Sequence, residues 1–263
     1  MEYLNKYIPK EYLALKINYL RKRLAEMPKA SIVDRNKNGC LKKVVAVDNH
    51  LYSLESEHGR DYIELINKRS AMEKQLEIYE TIWRCHFNDE PLPECDPHKI
   101  VRTLRTDTGK EVVMDKAFFD SLENDSNMNF AKNPYNFFDG IYYRSAAERD
   151  IAIFYTELGI PFKYEPTIKL AGLSKPVNPD FVLYLEELDN CKFHEHFGMK
   201  NSADYLTTTK IKYGNYTYVG LIPDLDILFT HDTDEMPFDI RYLSAKLNAA
   251  VYGTAIIHFG RKK

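Results

Sequence analysis

The sequence lacks any apolar run close to the roughly 20 residues that a helix needs to cross a bilayer. Its first residues, Met1 to Lys6, also lack the apolar core of a signal peptide. We therefore expect a cytoplasmic protein with no membrane partner. Its 263 residues are 44% hydrophobic and 29% charged, as in soluble globular proteins, and suffice for one large domain or two modest ones.

Cysteine is scarce in this chain. The four cysteines include no CxxC pair, which argues against a disulfide scaffold and against a zinc ribbon. Cys85, His86, Cys95 and His98 are metal-ligating residue types that lie close together in the chain, but their spacing is not that of a zinc finger. We do not expect a zinc site there.

An overall positive charge is also missing, since the formal net charge is −3. The distribution is uneven, because residues 1–43 hold eleven Lys and Arg against four Asp and Glu, a net charge of +7. Such a segment fits the phosphate backbone of a nucleic acid, and it equally fits a solvated helix face. Charge alone leaves both interpretations open.

Residues 1–100 read as a helical N-terminal module with a small β-hairpin section. A first helix is predicted between Pro9 and about Met27, with strand-like residues at 41–47 and 51–54 after an Asn38-Gly39 turn. A second helix is predicted from about Glu57 to Phe87. Its coiled-coil-like seam consists of Tyr62, Leu65, Arg69, Met72, Leu76, Tyr79 and Trp83.

That seam fits packing on the first helix or on a second copy of the chain. The oligomeric state is therefore open, and a homodimer is one arrangement that the seam fits. Residues 101–135 follow three prolines and are rich in Asn and Asp, so we expect a linker there.

Residues 136–263 have a different pattern and predict a second domain. The expected order is a helix from Ser145 to about Leu158, a strand over 162–170, a hairpin, a helix to about Tyr218, a strand and a last helix. This order is typical of the α/β (α+β) class, with a mixed sheet flanked by helices.

The hairpin carries two acids. Asp180 precedes the apolar run Phe181 to Leu185, five turn residues follow, and Glu195 lies in the second run. If the strands pair across that turn, both carboxylates lie at nearly the same height on one face. Two buried like charges repel each other unless a cation lies between them, which predicts a site for a divalent metal ion.

These residues resemble the PD-(D/E)xK endonuclease-like superfamily over Tyr142 to Gly260, just under half of the chain. The matching pieces are Arg144-Ser145-x-x-Glu148, Gly159-Ile-Pro-Phe-x-Tyr164-Glu165, Asn178-Pro-Asp180-Phe, Glu195-His-Phe-Gly198 and Lys212-x-x-x-Tyr216-x-x-x-Gly220. The resemblance implies a restriction-endonuclease-like sheet and a metal-dependent hydrolase that cuts nucleic acid, DNA more often than RNA.

The resemblance also implies the roles of individual residues. Asp180 and Glu195 would be metal ligands together with the carbonyl of His196, and Glu148 would add a third carboxylate. The implied metal is Mg²⁺, which prefers oxygen ligands, and Mn²⁺ would substitute for it. The family lysine two residues after Glu195 is replaced by Phe197, so the implied catalytic ammonium is that of Lys212 on the following helix.

Other interpretations of these residues stay open. Ser145-x-x-Glu148 is also a helix capping box, and Glu195 could simply form an ion pair with a lysine. His194 and His196 share the strand face opposite Glu195, which favours supporting or surface roles over zinc binding. Two other functions also remain: a nuclease-fold protein that has lost catalysis and binds or regulates, and a structural coiled-coil protein.

Overall fold

A computed structural model describes residues 2–4, 6–37, 39–93, 97–198 and 203–259. The chain divides into two compact units. The smaller unit spans residues 13–94 and the larger unit spans 1–12 and 95–263, so the boundary falls within helix α1 (Lys10–Glu26). Helices and sheets are both present, which confirms a mixed α and β class. Over the described ranges, no helix has the length and apolar character to cross a membrane.

The smaller unit is made of two helices and a three-stranded sheet. After α1 come β1 (Ala30–Lys37), β2 (Cys40–Val47), β3 (His50–Ser53) and α2 (Glu57–Phe87). The strands pair in chain order and are antiparallel. Both predicted helices are confirmed within one residue at each end.

Helix α2 begins and ends at polar residues. The Ser56 hydroxyl accepts a hydrogen bond from the Gly59 amide, 3.1 Å away, and Asn88 ends the helix in a left-handed conformation. Arg69, which interrupts the apolar seam, donates to the carbonyls of Leu24 and Met27, at 2.9 and 3.3 Å. Because the last carbonyls of a helix lack partners within it, Arg69 stabilises the end of α1.

The larger unit holds the remaining elements. In chain order these are β4 (Thr103–Arg105), β5 (Glu111–Val113), α3 (Lys116–Ser121), β6 (Phe137–Phe138), β7 (Ile141–Tyr142), α4 (Ala146–Glu157), β8 (Phe162–Tyr164), β9 (Phe181–Leu185), β10 (Asn190–Gly198), α5 (Ala203–Tyr218), β11 (Ile227–Asp232) and α6 (Ile240–Phe259). A 3-10 turn, Glu186–Leu188, joins β9 to β10.

The main sheet has four strands in the order β11-β10-β9-β8. The pairs β8–β9 and β9–β10 are antiparallel, and β10–β11 is parallel. Tyr155 of α4 packs edge-on against His194 on one face, and Phe118 of α3 stacks on Phe193 on the other. Helices therefore cover both faces, which explains why β9 and β10 are buried along nearly their whole length.

Strand β8 is shorter than the strand that the sequence predicts over residues 162–170. Glu165 has a φ of 42°, in the left-handed region, and Pro166 follows it. A left-handed residue and a proline both interrupt the regular pairing of a strand. The chain leaves the sheet at this point, and this turn places the Glu165 side chain in the interior.

Residues 101–135, expected to be a linker, contain β4, β5 and α3 and belong to the larger unit. Leu104, Met114, Phe118 and Phe119 are buried in one hydrophobic cluster with residues of β9 and β10. The prolines before this segment favoured the prediction of a linker. Its apolar residues instead pack against residues that are far away in the sequence. Part of the segment, residues 104–122, therefore contributes apolar side chains to the core.

Candidate active site

A cleft of about 480 Å³ opens beside the ends of β9 and β10. Its polar lining includes Arg144, Glu148, Asp180 and Lys212, and aromatic residues such as Phe130 complete the wall. Glu195 does not line the cleft, because its side chain is fully buried behind Lys212. The four candidate catalytic residues of the sequence analysis therefore lie close together. They are Glu148, Asp180, Glu195 and Lys212.

The register of the hairpin places the two strand acids side by side. Phe181 pairs with His194, so Asp180 lies opposite Glu195 where the two strands separate. One oxygen of Asp180 accepts a hydrogen bond of 2.7 Å from the backbone amide of His196. The other lies 3.2 Å from the Arg144 guanidinium.

Glu195 is held by two side chains of α5. The Lys212 ammonium contacts one carboxylate oxygen, and the Tyr216 hydroxyl donates to the other at 2.7 Å. Residues 212 and 216 are one helical turn apart and so share a face of the helix. Lys210, two residues before Lys212, is exposed.

Glu148 lies in the first turn of α4 and also lines the cleft. The Ser145 hydroxyl accepts from the Glu148 amide at 3.1 Å, as expected for a helix cap. The Glu148 carboxylate reaches back to the amide of Arg144, also at 3.1 Å, rather than to that of Ser145. The same oxygen accepts from the Tyr164 hydroxyl at 2.5 Å. The cap therefore fixes a carboxylate that lines the cleft.

Arg144 and Glu165 contact each other next to the acids of the cleft, and the sequence analysis assigned neither of them a role. The Arg144 guanidinium lies 2.6 Å from fully buried Glu165, 3.2 Å from Asp180 and 4.0 Å from Glu148. Lys132 also contacts Glu165. The resemblance included Arg144 and Glu165 among its matching pieces, and that was the one signal in the sequence that could have singled them out.

Burial and the charge of Asp180 shift the pKa values of the two glutamates. Burial, together with the charge of Asp180, raises the pKa of Glu195 to about 8, although Lys212 and Tyr216 oppose this shift. Burial and Asp180 likewise raise the pKa of Glu148. Although burial lowers the pKa of Lys212, the charges of Glu195 and Asp180 outweigh this effect and raise it. The cluster therefore favours additional positive charge.

The imidazoles of both histidines of β10 contact groups other than Glu148, Asp180 and Glu195, and that of His196 lies 3.8 Å from the Asp232 carboxylate. His194 is fully buried, hydrogen-bonded to the Tyr155 hydroxyl and the Thr230 hydroxyl at 2.7 Å each. His196 also contacts the Thr230 hydroxyl, at 2.8 Å, through its Nδ1 atom. Burial lowers the pKa of both imidazoles, which favours their neutral forms.

Three buried polar atoms at the cleft have no hydrogen-bond partner among the described residues. They are Arg144 Nε, His196 Nε2 and Thr209 Oγ1, and all three residues line the cleft. Buried polar groups are nearly always paired, so such atoms indicate a place for a polar ligand or water.

The oxygen donors of the cluster suit a hard cation such as Mg²⁺. In the described part of the chain, however, no group of three or more His, Cys, Asp or Glu side chains is placed to hold a metal ion. Arg144 and Lys212 are the counter-charges of the acids. Of the four possible zinc ligands in the first half, Cys85 and His86 are exposed and Cys95 lies outside the described residues.

The chain was compared with protein-family models, curated protein sequences and solved structures, and none of the three comparisons returned a match.

Proposed function

We propose that this protein is a metal-dependent endonuclease that hydrolyses phosphodiester bonds in nucleic acid, with DNA as the favoured substrate. One observation carries the proposal: Glu148, Asp180 and Lys212 line one cleft, and Glu195 lies directly behind Lys212. Three acids and an ammonium in one site suit phosphodiester hydrolysis, because the reaction needs both a cation site and a charge that stabilises the phosphate.

The order of elements supports a restriction-endonuclease-like fold for the larger unit. Helix α4 is followed by three antiparallel strands, helix α5 and a strand parallel to β10. The candidate residues lie on α4, before β9, on β10 and on α5, and this distribution supports the proposal. Fold similarity alone does not fix a function, so the site residues carry more weight than the topology.

Asp180, Glu195 and Glu148 would hold the Mg²⁺ ion, with the His196 carbonyl as a further oxygen donor. When bound, such an ion lowers the pKa of a water molecule and neutralises phosphate charge. To bind there, it must compete with the cations of the protein, Arg144 and Lys212, for the carboxylates.

The protein's own groups have separate tasks in this proposal. Lys212 offers its ammonium to the phosphate as negative charge develops. Arg144 donates from its Nε, which has no hydrogen-bond partner among the described residues. Tyr216 keeps the Glu195 carboxylate oriented through its 2.7 Å hydrogen bond. In the overall reaction, water adds to phosphorus, the bond to the leaving oxygen breaks, and that oxygen gains a proton.

The test is cleavage by the full chain. Single-stranded, double-stranded and branched DNA and RNA are incubated with Mg²⁺ or Mn²⁺, or with chelator. Cleavage should require metal and be lost in Asp180→Asn and Glu195→Gln. The matched controls Asp120→Asn and Glu111→Gln change exposed acids outside the cleft and should cleave normally.

A second candidate function is a nuclease-fold protein that binds or regulates without catalysis. The ion pairs of Arg144 and Lys212 favour it, because they already neutralise part of the acidic cluster. It predicts no cleavage of any substrate and no heat of Mg²⁺ binding in calorimetry by a folded protein. Metal-dependent cleavage that both site variants abolish would exclude it.

A further inference from the structure

Exposed aromatic side chains are concentrated in one part of the larger unit. Among the described residues, six Phe or Tyr side chains are exposed, and four of them lie within residues 130–142. We call residues 130–142 the aromatic segment. Its exposed rings are those of Phe130, Tyr135, Phe137 and Tyr142. Large aromatic side chains are usually buried, so a concentration of exposed rings indicates a binding surface.

The β6–β7 hairpin sets two of these rings side by side. Asp139 and Gly140 form its two-residue turn, and both have a positive φ, of 47° and 82°, as a type I′ turn requires. Phe137 therefore pairs with Tyr142, and their ring centroids lie 4.9 Å apart. Because directly opposite residues of two strands share a face, the two rings form one aromatic surface.

The aromatic segment adjoins the cleft. Phe130 lines the cleft, its side chain is 59% exposed, and the Arg144 guanidinium lies 5.2 Å from its ring centroid. Arg144 follows Tyr142 by two residues, so their Cα atoms are at most about 7 Å apart. Tyr143 between them is fully buried, and its amide and carbonyl are hydrogen-bonded to the backbone of residues 133–136. This anchor holds the exposed rings beside the cleft.

The aromatic segment offers little free charge. Residues 128–143 contain two charged side chains, Lys132 and Asp139. Lys132 contacts the carboxylates of Asp125 and Glu165, so its ammonium already has partners. Phosphate groups alone would therefore gain little here. A nucleic-acid base gains more, because its flat face stacks on an aromatic ring whatever the base is.

We propose that the aromatic segment stacks the unpaired bases of a DNA strand whose phosphate enters the cleft. The substrate is then single-stranded DNA, or DNA with an unpaired stretch beside the bond that is cut. This inference rests on the proposed function, which makes a nucleic acid the occupant of the cleft. It deepens that function by choosing an unpaired strand over a duplex, in which each base already stacks on its neighbours.

The test is a binding titration of the full chain in chelator, so that no cleavage occurs, with a fluorescently labelled single strand of about 20 nucleotides and with its duplex. The double leucine variant, Phe137→Leu with Tyr142→Leu, removes two rings and keeps apolar side chains. The ring-swap control, Phe137→Tyr with Tyr142→Phe, keeps both rings. Tyr135→Leu is compared with Tyr218→Leu, which changes an exposed tyrosine that does not line the cleft. Circular dichroism checks that each variant is folded.

We expect the double leucine variant to bind the single strand about tenfold more weakly, because it loses stacking and keeps only part of the apolar contact. The log–log salt slope should not change, since no charge is removed. Tyr135→Leu should bind about threefold more weakly. The ring-swap control and Tyr218→Leu should bind as the wild type does. The wild type should bind the single strand about tenfold or more above the duplex.

Unchanged affinity in the double leucine variant, an equal loss in the ring-swap control, or a duplex bound as tightly as the single strand would overturn the proposal. So would a loss of self-association in the double leucine variant with no change in DNA binding, because the rings would then be a contact between two copies of the chain. A loss of the same size with single-stranded RNA would support stacking, since the rings contact bases and not the sugar.

The titration also separates this inference from the proposed function. A protein that binds single strands through these rings but never cleaves them would contradict the nuclease proposal alone. Metal-dependent cleavage of duplex DNA that is unchanged in the double leucine variant would contradict the stacking inference alone.

Discussion

The ammonium of Lys212, on α5, contacts the carboxylate of Glu195, which is fully buried on β10. This ion pair links a helix to the centre of the main sheet at the edge of the cleft. Among the residues that the structure describes, Glu195 has one other side-chain partner, the Tyr216 hydroxyl. Removing Lys212 would leave a buried acid with a single hydrogen-bond donor, so the pair affects both stability and the proposed catalysis.

Lys212→Met should lower the free energy of unfolding by about 2–3 kcal/mol, somewhat below the cost of breaking a fully buried pair because Lys212 is partly exposed. Urea denaturation measures this change, with Lys210→Met as the control at an exposed position. Adding Glu195→Gln should restore much of the loss, because a neutral amide needs no counter-charge. A double variant that is no more stable than Lys212→Met would contradict this account.

The same variant separates metal binding from catalysis. Because Lys212 competes with a cation for Glu195, Lys212→Met should bind Mg²⁺ about tenfold more tightly in calorimetry, by simple charge competition. It should nevertheless fail to cleave. Weaker Mg²⁺ binding in Lys212→Met would mean that the ammonium does not compete for the metal site.

Mg²⁺ should stabilise the wild-type protein against heat. With a dissociation constant of about 1 mM, about 10 mM Mg²⁺ adds about 1.4 kcal/mol of stability, since the ion binds only the folded state. Asp180→Asn should abolish the shift in melting temperature, because it removes a proposed ligand. A full shift in Asp180→Asn would place the ion elsewhere.

Arg144→Met should be among the most destabilising changes in the larger unit. The guanidinium is the shared partner of Glu165 and Asp180. Its removal leaves Asp180 with no ion-pair partner among the described residues and Glu165 with Lys132 alone. We expect a loss of about 3–5 kcal/mol in urea denaturation. Arg149→Met, which breaks only a partly exposed pair with Asp150, should cost less than about 1 kcal/mol. Similar losses in the two variants would refute this role.

The buried amine of Lys192 should make the free energy of unfolding depend on pH. Its ammonium is buried, donating to the Leu225 carbonyl at 2.5 Å and the Thr254 hydroxyl at 3.1 Å. Burial lowers its pKa from 10.5 to about 8. Between these values the folded protein binds fewer protons than the unfolded chain, so this group makes stability rise with pH from about 8 towards 10.5.

Between about pH 7.5 and 9.5, the free energy of unfolding of the wild type should therefore rise relative to Lys192→Met by about 1.5–2 kcal/mol. Lys175→Met, at an exposed position, should follow the wild type across this range. Parallel curves for the wild type and Lys192→Met would show that the buried amine does not titrate in this window.

Local patterns in the sequence were sufficient to predict several elements. Apolar spacing gave both helices of the smaller unit, because a helix buries one face at a fixed period. Alternation and the position of the turn predicted a hairpin register that sets Asp180 opposite Glu195. A strand register follows from short-range sequence, since slipping it by one residue would turn every buried side chain outward.

Only the tertiary structure decided what surrounds those acids. Arg144 meets Asp180 and Glu165, and Lys132 meets Glu165, across 21 to 36 residues of chain that local patterns do not connect. Residues 104–122 contribute to the core for the same reason, because their apolar side chains pack on distant strands. The sequence determined which acids lie on the hairpin and at the start of α4. The packing of α4, α5 and the turn at Glu165 decided which cations neutralise them, because contacts between distant residues depend on the whole fold.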